Sequence, residues 1–232
     1  MRSVLRFFLR FCGETCLTAG VVALLFVAYL VWGTGWHTAA VQSQFAAQLN
    51  TQWQHEHVQP AAQPAVRPDG RALAIPADPI HVVAWEPFAF IRIPAFGAHW
   101  RFTVIEGTKL AQLNVAPGHV PGTQLPGQLG NFAIAGHRVT AGNPFWSLPS
   151  LRAGELVYID TEYNTYTYRV TGPPVWVPPD DTAVLAPVPG HPGRRPSRRL
   201  ISLITCDPAW TGTHRVIVTG VLIAATQRAE GR

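Results

Sequence analysis

The chain has 232 residues, 47% of them hydrophobic and only 13% charged, with a formal net charge of +5. That is ample for a core, and the length fits one domain plus accessories. No aromatic residues are interleaved with the one dense basic run, GRRPSRR, and no nucleic-acid-binding motif appears, so a nucleic-acid partner is set aside.

The apolar excess is concentrated at the start. Arg2, Arg6 and Arg10 come first, and no charged residue occurs from Leu17 to Trp36. About twenty apolar residues in a helix reach roughly 30 Å, enough to cross the hydrocarbon core of a bilayer. Trp32 and Trp36 stand at the far end, where amphipathic rings favour the membrane interface. The leading arginines place the N-terminus in the cytoplasm and the rest of the chain outside. A cleaved signal peptide is the competing reading. Its apolar core is shorter, about 7–15 residues, and Thr38–Val41 is a poor cleavage site. Residues 1–36 therefore read as a cytoplasmic tail and an uncleaved anchor, giving a single-pass membrane protein.

Residues 37–86 read as an extracytoplasmic stalk. Phe45, Leu49 and Trp53 fall on one face of a short helix. Repeated prolines from Gln59 to Pro79 then break any helix and suggest a semi-rigid tether.

From residue 87 to 232 the pattern is one of strands. FAFIRIPAF, HWRFTVIEG, NFAIAGH, ELVYID, YTYRVTG, LISLITC and HRVIVTGVLI are rich in Val, Ile, Thr, Tyr and Phe, and Gly, Pro and Asn bound them. TEYNT reads as a hairpin connection. LAQLNV and PFWSLPSL are the short helical segments. So many strands with so few helices imply a mainly β barrel or sandwich, rich in antiparallel pairs.

Three residues near strand ends have complementary chemistry: His137 after NFAIAG, Cys206 at the end of LISLIT, and Arg215 opening the last strand. Cys12 and Cys16 lie on the cytoplasmic side, so Cys206 has no disulfide partner within its own compartment. Cys206 is either a small buried hydrophobe or a nucleophile. A nearby cation raises the thiolate fraction, a histidine can protonate a leaving amine, and an arginine can stabilise an oxyanion. Together they describe an acyl-transfer site, provided the fold brings them together. Asp207 and Pro208 read as the turn out of the strand.

The stretches Ala133–Arg138, Ser202–Cys206 and Arg215 resemble the sortases, cysteine transpeptidases of Gram-positive cell surfaces. APGHVPGTQLPGQLGNFAIAGHR is most similar to class E sortases of high-GC Gram-positive bacteria. The likeness covers about residues 88–223, with Ser202 standing where Thr is usual. It implies a sortase-type eight-stranded closed β-barrel. It also implies that Cys206 attacks the threonine carbonyl of a C-terminal sorting signal, LPxTG-like and in this class LAxTG. His137 would serve as acid and base, and Arg215 would stabilise the oxyanion. Thr205 would contact substrate or the oxyanion. Implied partners are secreted proteins bearing the signal, a peptidoglycan precursor or other amine acceptor, and the lipid bilayer. No cofactor is implied.

His119 reads as a loop residue near the site with a structural or substrate-side hydrogen bond. A zinc site from His119, His137 and Cys206 lacks close ligand spacing, and the Asp180–Asp181 pair is thin for calcium; no metal is expected. The Pro-rich loop from Pro173 to Arg199 is long. Under the resemblance it helps form the signal-binding groove, with Leu185 in its apolar part; a plain surface loop is the other reading. Arg194, Arg195, Arg198 and Arg199 read as a solvated loop, or as an attraction to an anionic surface. A hydrolytic cysteine peptidase and a non-catalytic peptide-binding β-barrel module remain as alternatives.

Overall fold

The computed structural model describes residues 2–29, 34–55 and 78–228. Helix α1, Arg2–Ala28, contains the stretch Leu9–Val27, which is long and apolar enough to cross a membrane. Leu17, Leu24, Leu25 and Phe26 on it are exposed.

Helix α2 spans Thr34–His55. The expected face of Phe45, Leu49 and Trp53 is the one that packs. Leu49 is 1% exposed, and the Trp53 ring meets Phe90 edge-on at 5.4 Å. The Arg228 guanidinium lies 3.9 Å over the same Trp53 ring. Within the segment read as a stalk, this helix therefore lies on the barrel. The proline-rich run that follows falls outside the described residues up to residue 77.

The strands are β1 Pro87–Arg92, β2 Arg101–Glu106, β3 Gly118–His119, β4 Gly130–Ala135, β5 Leu156–Asp160, β6 Asn164–Val170, β7 Val175–Val177, β8 Arg199–Asp207 and β9 His214–Gln227. Eight of them close a barrel in the order β6-β5-β1-β2-β3-β4-β8-β9, with β9 returning to β6. The long strand β9 offers one edge to two partners in turn. Its Arg215–Ile217 pairs with β7 and its Gly220–Gln227 with β6. Most pairs are antiparallel; β2–β3 and β4–β8 are parallel.

Strand alternation sorts the side chains. Phe132, Ile134, Ile201, Leu203 and Val218 point into the barrel with Val104, Ile159, Tyr166 and Tyr168. Their neighbours Ala133, Ile204 and Ile217 form a second, smaller cluster on the outer face. At Asp160 the Arg92 guanidinium donates to both carboxylate oxygens, at 2.5 and 2.9 Å, and Thr165 Oγ1 adds a third bond at 2.7 Å.

The expected strand runs are present, as is the hairpin through TEYNT, where Thr161 N–H donates to Asn164 O at 2.8 Å. LAQLNV supplies helix α3, Leu110–Leu113, and PFWSLPSL a single 3-10 turn at Leu148–Ser150. Two short strands lie where loops are expected. Gly118–His119 is a strand of two residues, too short for a periodic signal. β7 sits inside the proline-rich loop, held by its bonds to β9 rather than by its composition. Asp181, half of the Asp180–Asp181 pair, caps the 3-10 turn Thr182–Leu185 by accepting from Ala183 N–H at 3.0 Å.

Candidate active site

The outer face of β4, β8 and β9 gathers the chemistry. In the antiparallel β8–β9 ladder, Cys206 and Arg215 are direct cross-strand partners. Their side chains share the face of Ile204 and Ile217, since positions two apart point the same way. Cys206 is a free, partly exposed thiol. Arg215 is held from below, its Nη1 donating to Gly212 O at 2.8 Å and to His214 O at 3.2 Å. The loop between the strands folds back, with Gly212 N–H donating to Pro208 O at 2.8 Å. Gly212 has φ +61°, and a Cβ there would stand 3.6 Å from Cys206 Sγ and 3.7 Å from Arg215 Nη1. This loop thus lies against both the thiol and the guanidinium. Among the described residues no carboxylate forms an ion pair with Arg215, which leaves its charge for a ligand.

His137 arrives on the neighbouring strand. The β4–β8 pair runs parallel in register to Ala135 beside Ile204. Gly136 N–H then donates to Ile204 O at 3.0 Å, and Thr205 Oγ1 donates to Gly136 O at 2.8 Å. His137 therefore leaves the sheet one strand spacing, about 4.8 Å, from the Cys206 backbone. Gly136 has a packing reason to lack a side chain: a Cβ there would stand 2.8 Å from the Phe145 ring.

The imidazole is held by a residue that sequence reasoning misses. His137 Nε2 lies 3.0 Å from Asn114 Oδ1. An amide oxygen only accepts, so Nε2 carries the proton and Nδ1 is the basic nitrogen of the neutral ring. Burial lowers the His137 pKa from its ordinary value, which favours that neutral ring.

Four more residues gather at these strand ends. Arg138, next to the histidine, forms an ion pair with Asp207, next to the cysteine. Trp176 Nε1 on β7 donates to Asp207 Oδ2 at 2.7 Å, and the Arg138 guanidinium sits 5.8 Å over the Trp146 ring. Asp207 is thus more than a turn residue. No spacing in the sequence reveals this bond, because Arg138 and Asp207 meet only through the parallel pairing of β4 and β8.

Of the six residues singled out from sequence, four lie on or over this face. Leu185 and Val184 pack over Ala133, Ile204 and Ile217. His137, Cys206 and Arg215 are brought together at the strand ends. The other two are corrected. Thr205 is 2% exposed and points inward with its hydroxyl committed to Gly136; it secures the strand end and does not face substrate. His119 is not on a loop: it lies in β3, 2% exposed, between Phe88 and Phe132. Its Nδ1 is 2.5 Å from Glu106 Oε2, and its Nε2 faces Thr123 Oγ1 at 2.9 Å and Gln124 O at 3.2 Å. Both nitrogens are satisfied inside the barrel, so His119 has no route to a substrate.

The sortase domain family matches residues 91–223. Sortase SrtE1 of Streptomyces coelicolor is 29% identical over 95% of this chain, which spans 58% of that relative's length. Sortase SrtE2 of the same organism is 26% identical over 94% of this chain and 83% of its own. Among solved structures, sortase E from Streptomyces avermitilis is 37% identical with a TM-score of 0.57, covering 62% of this chain and 93% of its own. Sortase E1 from S. coelicolor, solved with a tripeptide in the active site, is 29% identical with a TM-score of 0.59, over 66% of this chain and 97% of its own. A domain match across more than half the chain, on a closed barrel shared with these structures, makes this chain a member of the sortase family.

Proposed function

We propose that this protein is a membrane-anchored cysteine transpeptidase that joins proteins bearing a C-terminal sorting signal to a cell-wall amine. The observation that carries the reading is the cross-strand pairing of Cys206 with Arg215, beside the strand that delivers His137. The tripeptide found in the active site of S. coelicolor sortase E1 supports a peptide substrate.

The signal lies along the outer face over Ala133, Ile204 and Ile217, with Val184 and Leu185 as its wall. Cys206 Sγ attacks the carbonyl carbon of threonine, and His137 takes the thiol proton on its basic nitrogen. Arg215, its Nη1 anchored on Gly212 O and His214 O, stabilises the oxyanion as charge develops. Collapse breaks the Thr–Gly bond, and the imidazolium returns its proton to the departing glycine amine. The thioester is then attacked by an incoming amine that His137 deprotonates. A new amide forms and the thiol is restored. The signal is LPxTG-like and, as the class E likeness favours, LAxTG. The acceptor is a peptidoglycan precursor or a related amine.

Helix α1 is the single-pass anchor, with Arg2, Arg6 and Arg10 on the cytoplasmic side and the barrel outside. The division into an anchor at 1–36, a connecting segment at 37–86 and a catalytic domain at 87–232 follows, with α2 of the connecting segment resting on the catalytic domain.

The test uses the detergent-solubilised full chain, a panel of Leu-Ala-x-Thr-Gly and Leu-Pro-x-Thr-Gly peptides, and an amine acceptor. Mass spectrometry should find a thioester on Cys206 and an amide product, and Cys206→Ala should yield neither. Hydrolysis without amide product in excess amine would make the protein a peptidase. Full activity in Cys206→Ala would remove the enzyme reading.

A further inference from the structure

Helix α2 packs on strands β1 and β2, and its contacts with β2 and with the turn between α3 and β3 are polar and specific. Gln42 uses both ends of its amide. Its Oε1 accepts from Thr103 N–H at 2.7 Å and from Thr103 Oγ1 at 2.8 Å, on strand β2. Its Nε2 donates to Val115 O at 2.9 Å, in the turn between α3 and β3. One turn earlier, Thr38 is 1% exposed, and its Oγ1 donates to Asn114 O at 3.2 Å. Two adjacent carbonyls of one turn are thus gripped by one helix. That turn carries Asn114, whose side chain holds His137.

A second contact leads to the same histidine. The loop leaving His137 runs through four successive residues in the left-handed region: Thr140 at φ 71°, Ala141 at 49°, Gly142 at 75° and Asn143 at 54°. Threonine and alanine disfavour that region, so this conformation persists only where surroundings hold it. Thr38 is part of those surroundings: a Cβ on Gly142 would lie 3.4 Å from Thr38 Cγ2. The far end of the loop closes on the histidine itself, with Phe145 N–H donating to His137 O at 3.1 Å.

We propose that α2 is a brace for the catalytic histidine, with Gln42 and Thr38 as positioning residues that fix the Asn114 turn and the loop after His137. The segment between anchor and barrel is then part of the active enzyme. Loss of the brace leaves Cys206 and Arg215 in place, because their pairing is made between β8 and β9. It frees the imidazole to lose its partner and admits water to it. A misplacement of about 1 Å at a catalytic group can cost on the order of a hundredfold in rate.

The proposal rests on His137 being the acid and base, and the test separates the two ideas. The full chain in detergent is compared with Thr38→Val, Gln42→Ala and Leu49→Ala. Thr38→Val keeps the shape and deletes one hydroxyl. Leu49→Ala weakens the seat of α2 on the barrel without touching the turn. Peptide kinetics give kcat and KM, melting gives stability, and NMR follows the His137 ring through a pH titration. A brace predicts kcat down about tenfold or more in Gln42→Ala with KM little changed. It also predicts a rise in the His137 titration midpoint as burial is lost. Thr38→Val should move both in the same direction by less. Leu49→Ala should lose more stability than either and less kcat than Gln42→Ala. An unchanged His137 titration in Gln42→Ala overturns the brace, and so does a kcat that simply follows stability across the three variants. A shifted titration with unchanged kcat would uphold the brace and remove His137 from the chemistry.

Discussion

The two faces of the β3–β4–β8–β9 sheet carry the same kinds of residue and use them oppositely. On the inner face, His119 is enclosed by Phe88 and Phe132 and bonded at both nitrogens, and Thr205 is tied to Gly136. On the outer face, His137 has one nitrogen held by Asn114, Cys206 is half-exposed, and Arg215 keeps its charge unpaired among the described residues. A satisfied polar group stabilises a core, whereas a partly satisfied one is available to a substrate. The strand register decides which residue falls on which face, since side chains alternate. Shifting β8 by one residue would bury Cys206 and expose Thr205.

The sharpest break of this contrast is Arg215→Ala. It removes the only cation paired in register with the thiol and leaves the inner face alone. Loss of one oxyanion donor typically lowers kcat by about 10²–10³. Arg215→Lys should restore little, since the ammonium lacks the planar fork. Melting temperatures close to the parent would locate the effect in the chemistry.

Asp207→Ala comes next. It leaves the Arg138 guanidinium and the Trp176 indole without their shared acceptor. We expect kcat to fall about 10–100-fold as the strand ends carrying His137 and Cys206 lose their link. Stability should drop by about 1–3 kcal/mol for a part-buried charge left unpaired. Denaturant melts and peptide kinetics measure both. Parent-like kcat would show that the strands alone set the spacing.

Asn114→Ala should cost less, about tenfold in kcat, by freeing the choice of tautomer in His137. It should also change the pH response. Burial holds the folded His137 pKa below the ordinary imidazole value of 6.5, so the unfolded chain binds the proton more readily. Stability from this group is therefore present above that value and lost as pH falls through the lowered one. His137→Gln should flatten that part of the stability–pH curve, and denaturant titrations between about pH 5 and 7 would show it.

Much of this was legible in the sequence because the signals are local. β-branched runs mark the long strands, and Cys206 and Arg215 each sit at a strand end that composition reveals. His137 follows its strand in the same way. What stayed hidden depends on distant partners. Asn114 meets His137 across 23 positions and Gln42 meets Val115 across 73. Neither residue has a pattern of its own, and Gln42 sits in a stretch whose Gln and Ala suggest only a helix. His119 and Thr205 illustrate the converse. Their residue types suit a catalytic site, yet register turns both inward.

Ser202 offers the mildest test. It sits where the sortase likeness expects threonine, on the same side of β8 as Ile204 and Cys206. It is 0% exposed, opposite Thr219 in the ladder, and its Oγ has no hydrogen-bond partner. An unpaired buried hydroxyl costs free energy that a methyl group does not. Ser202→Ala should therefore hold or raise stability, by up to about 1 kcal/mol, with kcat unchanged. A clear loss of stability would mean that the hydroxyl has a partner after all. A clear loss of activity would extend the reacting face four residues down the strand from Cys206, to the register partner of Ala133.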